Sequence, residues 1–109
     1  MMPTERLVNW YKKECNDEWE HTYGVCIDTL DNPGWSLRVD LSETELVDVT
    51  FPPLKCNRSE DDWVHCYVID EIFCGYGGVY NLDELITIFV DWAEKVEQDR
   101  KQETGLVET

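Results

Sequence analysis

Cys74 lies in the run Phe73-Cys74-Gly75-Tyr76-Gly77-Gly78, and a thiol among glycines suggests a loop that cradles an anionic intermediate, as in sulfurtransferases. That chemistry needs a thiolate, which nearby cations or a helix N-terminus favour. The stretch between Arg58 and Lys95 holds no Lys or Arg, and the helix expected next opens with Asp83 and Glu84, which oppose negative charge. The local sequence argues against a nucleophilic Cys74, and a small cysteine-dependent enzyme stands only as an alternative. A metal centre is the second chemistry to weigh. His21, His65, Cys56, Cys66 and Cys74 are ligand types, but their spacings fit no zinc pattern. His65 reads as a hydrogen-bonded structural histidine, and neither metal nor cofactor is expected. Acids are so abundant that paired carboxylates say nothing about hydrolysis. Ser/His/Asp, phosphate-loop and dinucleotide signatures are missing.

What the chain does offer is charge and aromatic surface. Its 109 residues carry a net charge of −15, with five Trp and five Tyr. Residues 14–37 and 59–94 contain acids but no Lys or Arg. Such a surface repels phosphate, which excludes nucleic acid and anionic membranes as direct partners, and it attracts a basic protein. Apolar residues at 42% suffice for one core, so the acidity is not that of a disordered chain. A single domain over 1–101 and a polar tail over 102–109 are expected. Five cysteines, none in a CxxC spacing, read as buried free thiols. No apolar run approaches membrane-spanning length, and the N-terminus lacks the order of a signal peptide, so a cytoplasmic location is expected.

The elements that must position these groups follow from periodicity. Thr4 can cap a helix over about 5–16, with Leu7, Trp10 and Tyr11 on one face. Tyr23, Val25 and Ile27 alternate with small or polar residues and predict a strand whose apolar face fills the core. Asp31 to Gly34 turn the chain into a second strand, where Trp35, Leu37, Val39 and Leu41 alternate with Ser36, Arg38 and Asp40. Val47, Val49 and Phe51 predict a third strand over Glu45–Phe51, ended by Pro52-Pro53, with a polar loop over 54–61. Residues 63–70 alternate with both faces apolar or aromatic, the mark of a central strand, and 72–76 form a short fifth strand. Gly75, Gly77 and Gly78 then mark a bend or a close backbone approach. Asn81 caps the last helix with Glu84 in a capping-box position, and Leu82, Leu85, Ile86, Phe89, Trp92, Ala93 and Val96 form its core stripe. Gly105 is expected to break any continuation of that helix. The fold expected is α+β: an antiparallel sheet of about five strands, with an N-terminal and a C-terminal helix packed on one face, leaving the other face and its turns for a partner.

Aromatic residues beside acids supply both parts of a tight protein interface: anchors that desolvate, and charges matched to a basic target. Trp19-Glu20, Asp31 to Trp35 and Asp61-Asp62-Trp63 show this juxtaposition. Candidate contact residues are Trp19, Glu20, Asp31, Trp35, Asp40, Glu43, Glu45, Glu60, Asp61 and Asp62, while core packing is expected of Trp10, Trp63 and Trp92. Asn32, Pro33, Gly34, Gly75, Gly77 and Gly78 are assigned to turns.

The segment Trp19-Glu20-His21-Thr22-Tyr23-Gly24, with Asp31-Asn32-Pro33-Gly34-Trp35, Asp62-Trp63, the glycine-rich run and Asn81-Leu82, resembles the immunity protein 53 family of bacterial polymorphic toxin systems over about residues 7–93. The resemblance implies a small non-enzymatic α+β protein that binds and neutralises a cognate toxin. The expected mechanism is occlusion of a basic active site or substrate cleft, and a nuclease toxin would suit the charge best. A general acidic interaction module is the remaining alternative.

Overall fold

The computed structural model describes residues 1–108, with side chains described through residue 101. Helix α1 spans Pro3–Glu14, a four-residue turn α2 spans Trp19–Thr22, and strands β1 (Val25–Leu30) and β2 (Gly34–Asp40) form a hairpin. After a long connection come β3 (Leu54–Ser59), β4 (Asp62–Ile69), β5 (Ile72–Gly77) and α3 (Leu82–Glu108). All pairings are antiparallel, and the strand order is β1-β2-β5-β4-β3. The expected five-stranded α+β architecture is therefore present, with β5 in the middle and β4 flanked on both sides.

Proline sets the start of α1. Pro3 occupies its first turn after Met2, so the helix begins ahead of the Thr4 cap that the sequence suggested. Leu7 and Trp10 are its buried face. Helix α3 lies across β2, β5 and β4, while α1 leans chiefly on α3. The Trp10 ring meets Phe89 edge-on at 4.9 Å, and Arg6 bridges to Asp91 and Glu94. Leu85, Ile86, Phe89, Val90, Ala93 and Val96 carry the core stripe of α3 onto Leu37, Val39, Val64, Cys66 and Phe73. Burying each large apolar side chain there contributes ~1.5–3 kcal/mol. The α3 backbone continues past Gly105, where a break was expected. The polar character assigned to 102–109 lies outside the described side chains.

Three further local expectations fail in the sheet and its connections. Residues 45–51 are not a strand. Thr44 N–H donates to the Leu41 carbonyl, Val47 to Thr44 and Val49 to Leu46, a succession of turns. The Thr44 hydroxyl stabilises them by donating to Leu41 O and accepting from Leu46 N–H. The segment buries Leu46 and packs Val49 and Phe51 beside α3, with Phe51 edge-on to both Phe73 and Trp92. Its apolar residues seal the core from the side instead of pairing. Residues 54–59, expected as a loop, are β3. An edge strand needs only one bonded neighbour and one apolar contact, and Cys56 supplies the latter, so its polar composition hid it. Ile27, expected in the core, is 44% exposed, because β1 is the opposite edge. Tyr23 and Val25 do pack against the core.

Candidate partner-binding surface

Strand alternation gives the sheet two different faces. Gly75 and Gly77 lie under Leu85, which fixes 73, 75 and 77 of β5 on the helix side together with Leu37, Val39, Val64 and Cys66. Residues one position away in each ladder point to the other side. Among the described residues, no helix packs on that side. Its cross-strand rows read Ser36–Tyr76–His65–Lys55, then Cys26–Arg38–Cys74–Tyr67, then Asp40–Ile72–Ile69. Trp63 begins the same β4 face. Trp63 was expected to be core; instead it is half-buried on the bare side, because α3 covers the Val64–Cys66–Val68 register. His65 stacks obliquely on Tyr67 at 5.1 Å, and Tyr67 on Tyr76 at 6.1 Å. The phenol of Tyr67 bonds to that of Tyr76, which with burial pushes its pKa upward.

The glycine end of the sheet is built around Asn81, which is 4% exposed. Its Oδ1 accepts the Trp63 N–H at 3.2 Å, and its Nδ2 donates to Asp62 Oδ1 and Glu84 Oε1, each at 2.9 Å. Asn81 stands at the expected N-cap position, where its backbone carbonyl accepts the Leu85 N–H, and its side chain also ties β4 to α3. Arg58 completes the clamp by donating to Asp62 at 2.9 Å and to Glu84 at 2.5 Å. Those bonds from Arg58 and Asn81 hold the Asp62 carboxyl below the usual aspartate range. Gly34 and Gly78 are required by proximity: a Cβ would lie 2.2 Å from the Gly77 carbonyl oxygen in one case and 2.4 Å from that of Asp61 in the other. No glycine has positive φ among the described residues, so close approach, not a bend, explains the glycine run. The Asn32–Pro33 peptide in the β1–β2 turn is cis.

The residues singled out for partner contact fall into different places. Trp19 is 3% exposed, donates its indole N–H to Ser42 O at 2.9 Å and packs on Trp10. Trp35 is half-buried and donates to Val79 O at 3.0 Å. Both tryptophans hold the fold together. Glu20 accepts the N–H groups of Asn16 and Asp17 at 2.9 Å each. Bonds from its own amide and from those two hold its carboxyl low. Asp40 accepts the Gly24 N–H at 2.9 Å, and Glu45 lies 3.8 Å from Lys13. Asp31, Glu60 and Asp61 are exposed on turns at the glycine end, and Glu43 is exposed at the opposite end with Asp70 and Glu71. Tyr80, 82% exposed beside Asp61's neighbour Gly78, was not anticipated. The uncovered face itself was expected, but its aromatic residues were not singled out, although the two-sided alternation of β4 was their signal.

Cys74 does have a cation beside it: Arg38 is its direct cross-strand partner, a contact that local sequence could not reveal. Burial nevertheless raises the thiol's pKa, with Arg38 opposing and Asp70 assisting. Burial pushes the Cys66 thiol up to about 12. Neither thiol is a ready nucleophile. Grooves of about 250 and 300 Å³ flank α1, and neither is lined by Cys74 or His65. Among the described residues no three His, Cys, Asp or Glu side chains are grouped to hold a metal, and no helix is long and apolar enough to cross a membrane.

The chain is thus a two-layer α+β domain with helices on one face of its sheet. A family model described as immunity protein 53 matches residues 4–94, and the chain belongs to that family. No curated protein and no solved structure matches it.

Proposed function

We propose that the protein is a cytoplasmic, non-enzymatic immunity protein that neutralises a cognate bacterial toxin by stoichiometric binding. Family membership over residues 4–94 carries this reading. The net charge of −15 supports it, as do exposed acids at both ends of the sheet: Asp31, Glu60 and Asp61 at one, Glu43 at the other. A basic substrate cleft is the surface such charges complement, and a nuclease is the toxin class that requires one. Asp40, Glu45 and Asp62 add to the field while holding local structure. Neighbouring genes are expected to encode a protein with a toxin-like C-terminal domain, and co-expression with that domain is expected to restore growth and to yield a co-purifying complex. Association should slow steeply as salt rises, and an association rate indifferent to salt would count against charge-led occlusion.

The alternative of a thiol enzyme rests on Cys74 as its nucleophile. With that thiol's pKa raised, replacing Cys74 by Ser is expected to leave protection intact. An interaction module unconnected to toxins would lack a toxin-encoding neighbour and would give no rescue.

A further inference from the structure

We propose that the toxin docks on the bare face of the sheet, with the β4–β5 stripe as its centre and the acidic ends of the strands as its rim. This rests on the immunity reading above and adds which surface does the binding. The stripe consists of Trp63, His65, Tyr67 and Ile69 along β4, with Ile72 and Tyr76 along β5. Ile69, the last residue of β4, pairs with Ile72 at the end of the hairpin and is 55% exposed, an uncovered isoleucine that gains little for folding. Aromatic side chains grouped on a rigid sheet lose little conformational freedom when covered, which makes them efficient anchors.

Charge says what kind of surface covers them. Arg38 and Lys55 flank the stripe from β2 and β3, and neither forms an ion pair among the described residues. Acids stand further out: Asp28 on β1, Asp70 and Glu71 at one end, Glu60 and Asp61 at the other. An apolar centre with an acidic periphery fits a protein whose contact patch is apolar in the middle and basic around it. Arg38 takes a carboxylate or carbonyl oxygen near the middle of that patch. A second copy of this chain fits poorly, because it would bring acidic rims together at −15 per chain.

The test uses this protein and a catalytically inactivated form of the toxin domain from which it rescues growth, with affinity read by calorimetry. Ile69→Asp and Arg38→Glu are each expected to weaken binding at least ~30-fold, as central contacts do. Their melting temperatures should stay close to wild type, since both side chains are exposed. Tyr80→Ala and Lys95→Glu, which lie off this face, are expected to bind within about threefold, the range of peripheral contacts. If wild type binds and both face variants bind equally well, the docking proposal is overturned while the immunity reading stands. If Tyr80→Ala abolishes binding and the face variants do not, the contact lies at the glycine end and the proposal is likewise overturned. A concentration-dependent dimer broken by Ile69→Asp assigns the face to a second copy, with the same consequence. Failure of wild type to bind or protect removes the immunity reading and this one together.

Discussion

Arg38 faces Cys74 directly across the β2–β5 ladder, yet the thiol's pKa lies above its ordinary value because burial outweighs the guanidinium. The pair therefore behaves as neighbours on a surface and not as an activated nucleophile with its counterion. Thiol labelling of the native protein at pH 8 should modify exposed Cys26 first, with Cys66 and Cys74 reacting only on unfolding. Rapid modification of Cys74 in the folded state would reopen the enzymatic alternative.

Asn81 is expected to be among the most sensitive polar positions. Asn81→Ala leaves the Trp63 N–H and two carboxylates without their shared partner at a 4% exposed site. The expected cost is about 1–3 kcal/mol, measured by urea unfolding. Asn81→Asp should cost at least as much, since it places a third carboxylate between Asp62 and Glu84.

Gly78→Ala should be poorly tolerated for a steric reason alone. The added carbon would press on the carbonyl of Asp61, which is backbone and cannot swing away. A loss of about 3 kcal/mol is expected, the upper part of the range for overpacking. Gly24→Ala is the control: nothing lies within 4 Å of its Cβ position, so thermal melts of that variant should match wild type.

Two carboxylates give opposite pH signatures. Asp62 has its pKa depressed by Arg58 and Asn81, so its stabilising contribution is present above the unfolded value of about 3.9 and is lost as pH falls through the folded value. Asp62→Asn should therefore flatten the acid limb of stability. Glu14 has its pKa raised, first by burial and then by Glu45 and Glu97 against the opposing Lys13. Its ionised form is penalised in the folded state at neutral pH, and the penalty vanishes below the unfolded value of about 4.3. Glu14→Gln should be more stable than wild type at pH 7 and no more stable near pH 3. Urea midpoints across that range check both signs.

Much of the scaffold was legible because it obeys simple periods. The i, i+3, i+4 stripe of α3 and the alternation of β2, β4 and β5 translate directly into buried faces. The connection over 45–51 misled because Val47, Val49 and Phe51 mimic a strand. The bonds that form run Thr44 to Val47 and Leu46 to Val49, and only the surrounding core decides between the two. β3 was hidden because an edge strand tolerates a polar sequence. The candidate surface was read least well. Trp19 and Trp35 sit beside acids in sequence but send their indole N–H groups to Ser42 and Val79 carbonyls. Trp63 sits on a clean apolar alternation but on the face that nothing covers. Alternation tells which residues share a side; it does not tell which side α3 will take.

The strand order also has a consequence in time. β2 can find its inner neighbour only when β5 has been made, since Trp35 pairs with Gly77, and both then wait for α3 to cover them. During synthesis the β1–β2 hairpin leaves the ribosome with Leu37 and Val39 open to water until β5 and α3 have followed it. The hairpin, the middle strand and the covering helix therefore gain their stability together and not in the order in which they are made.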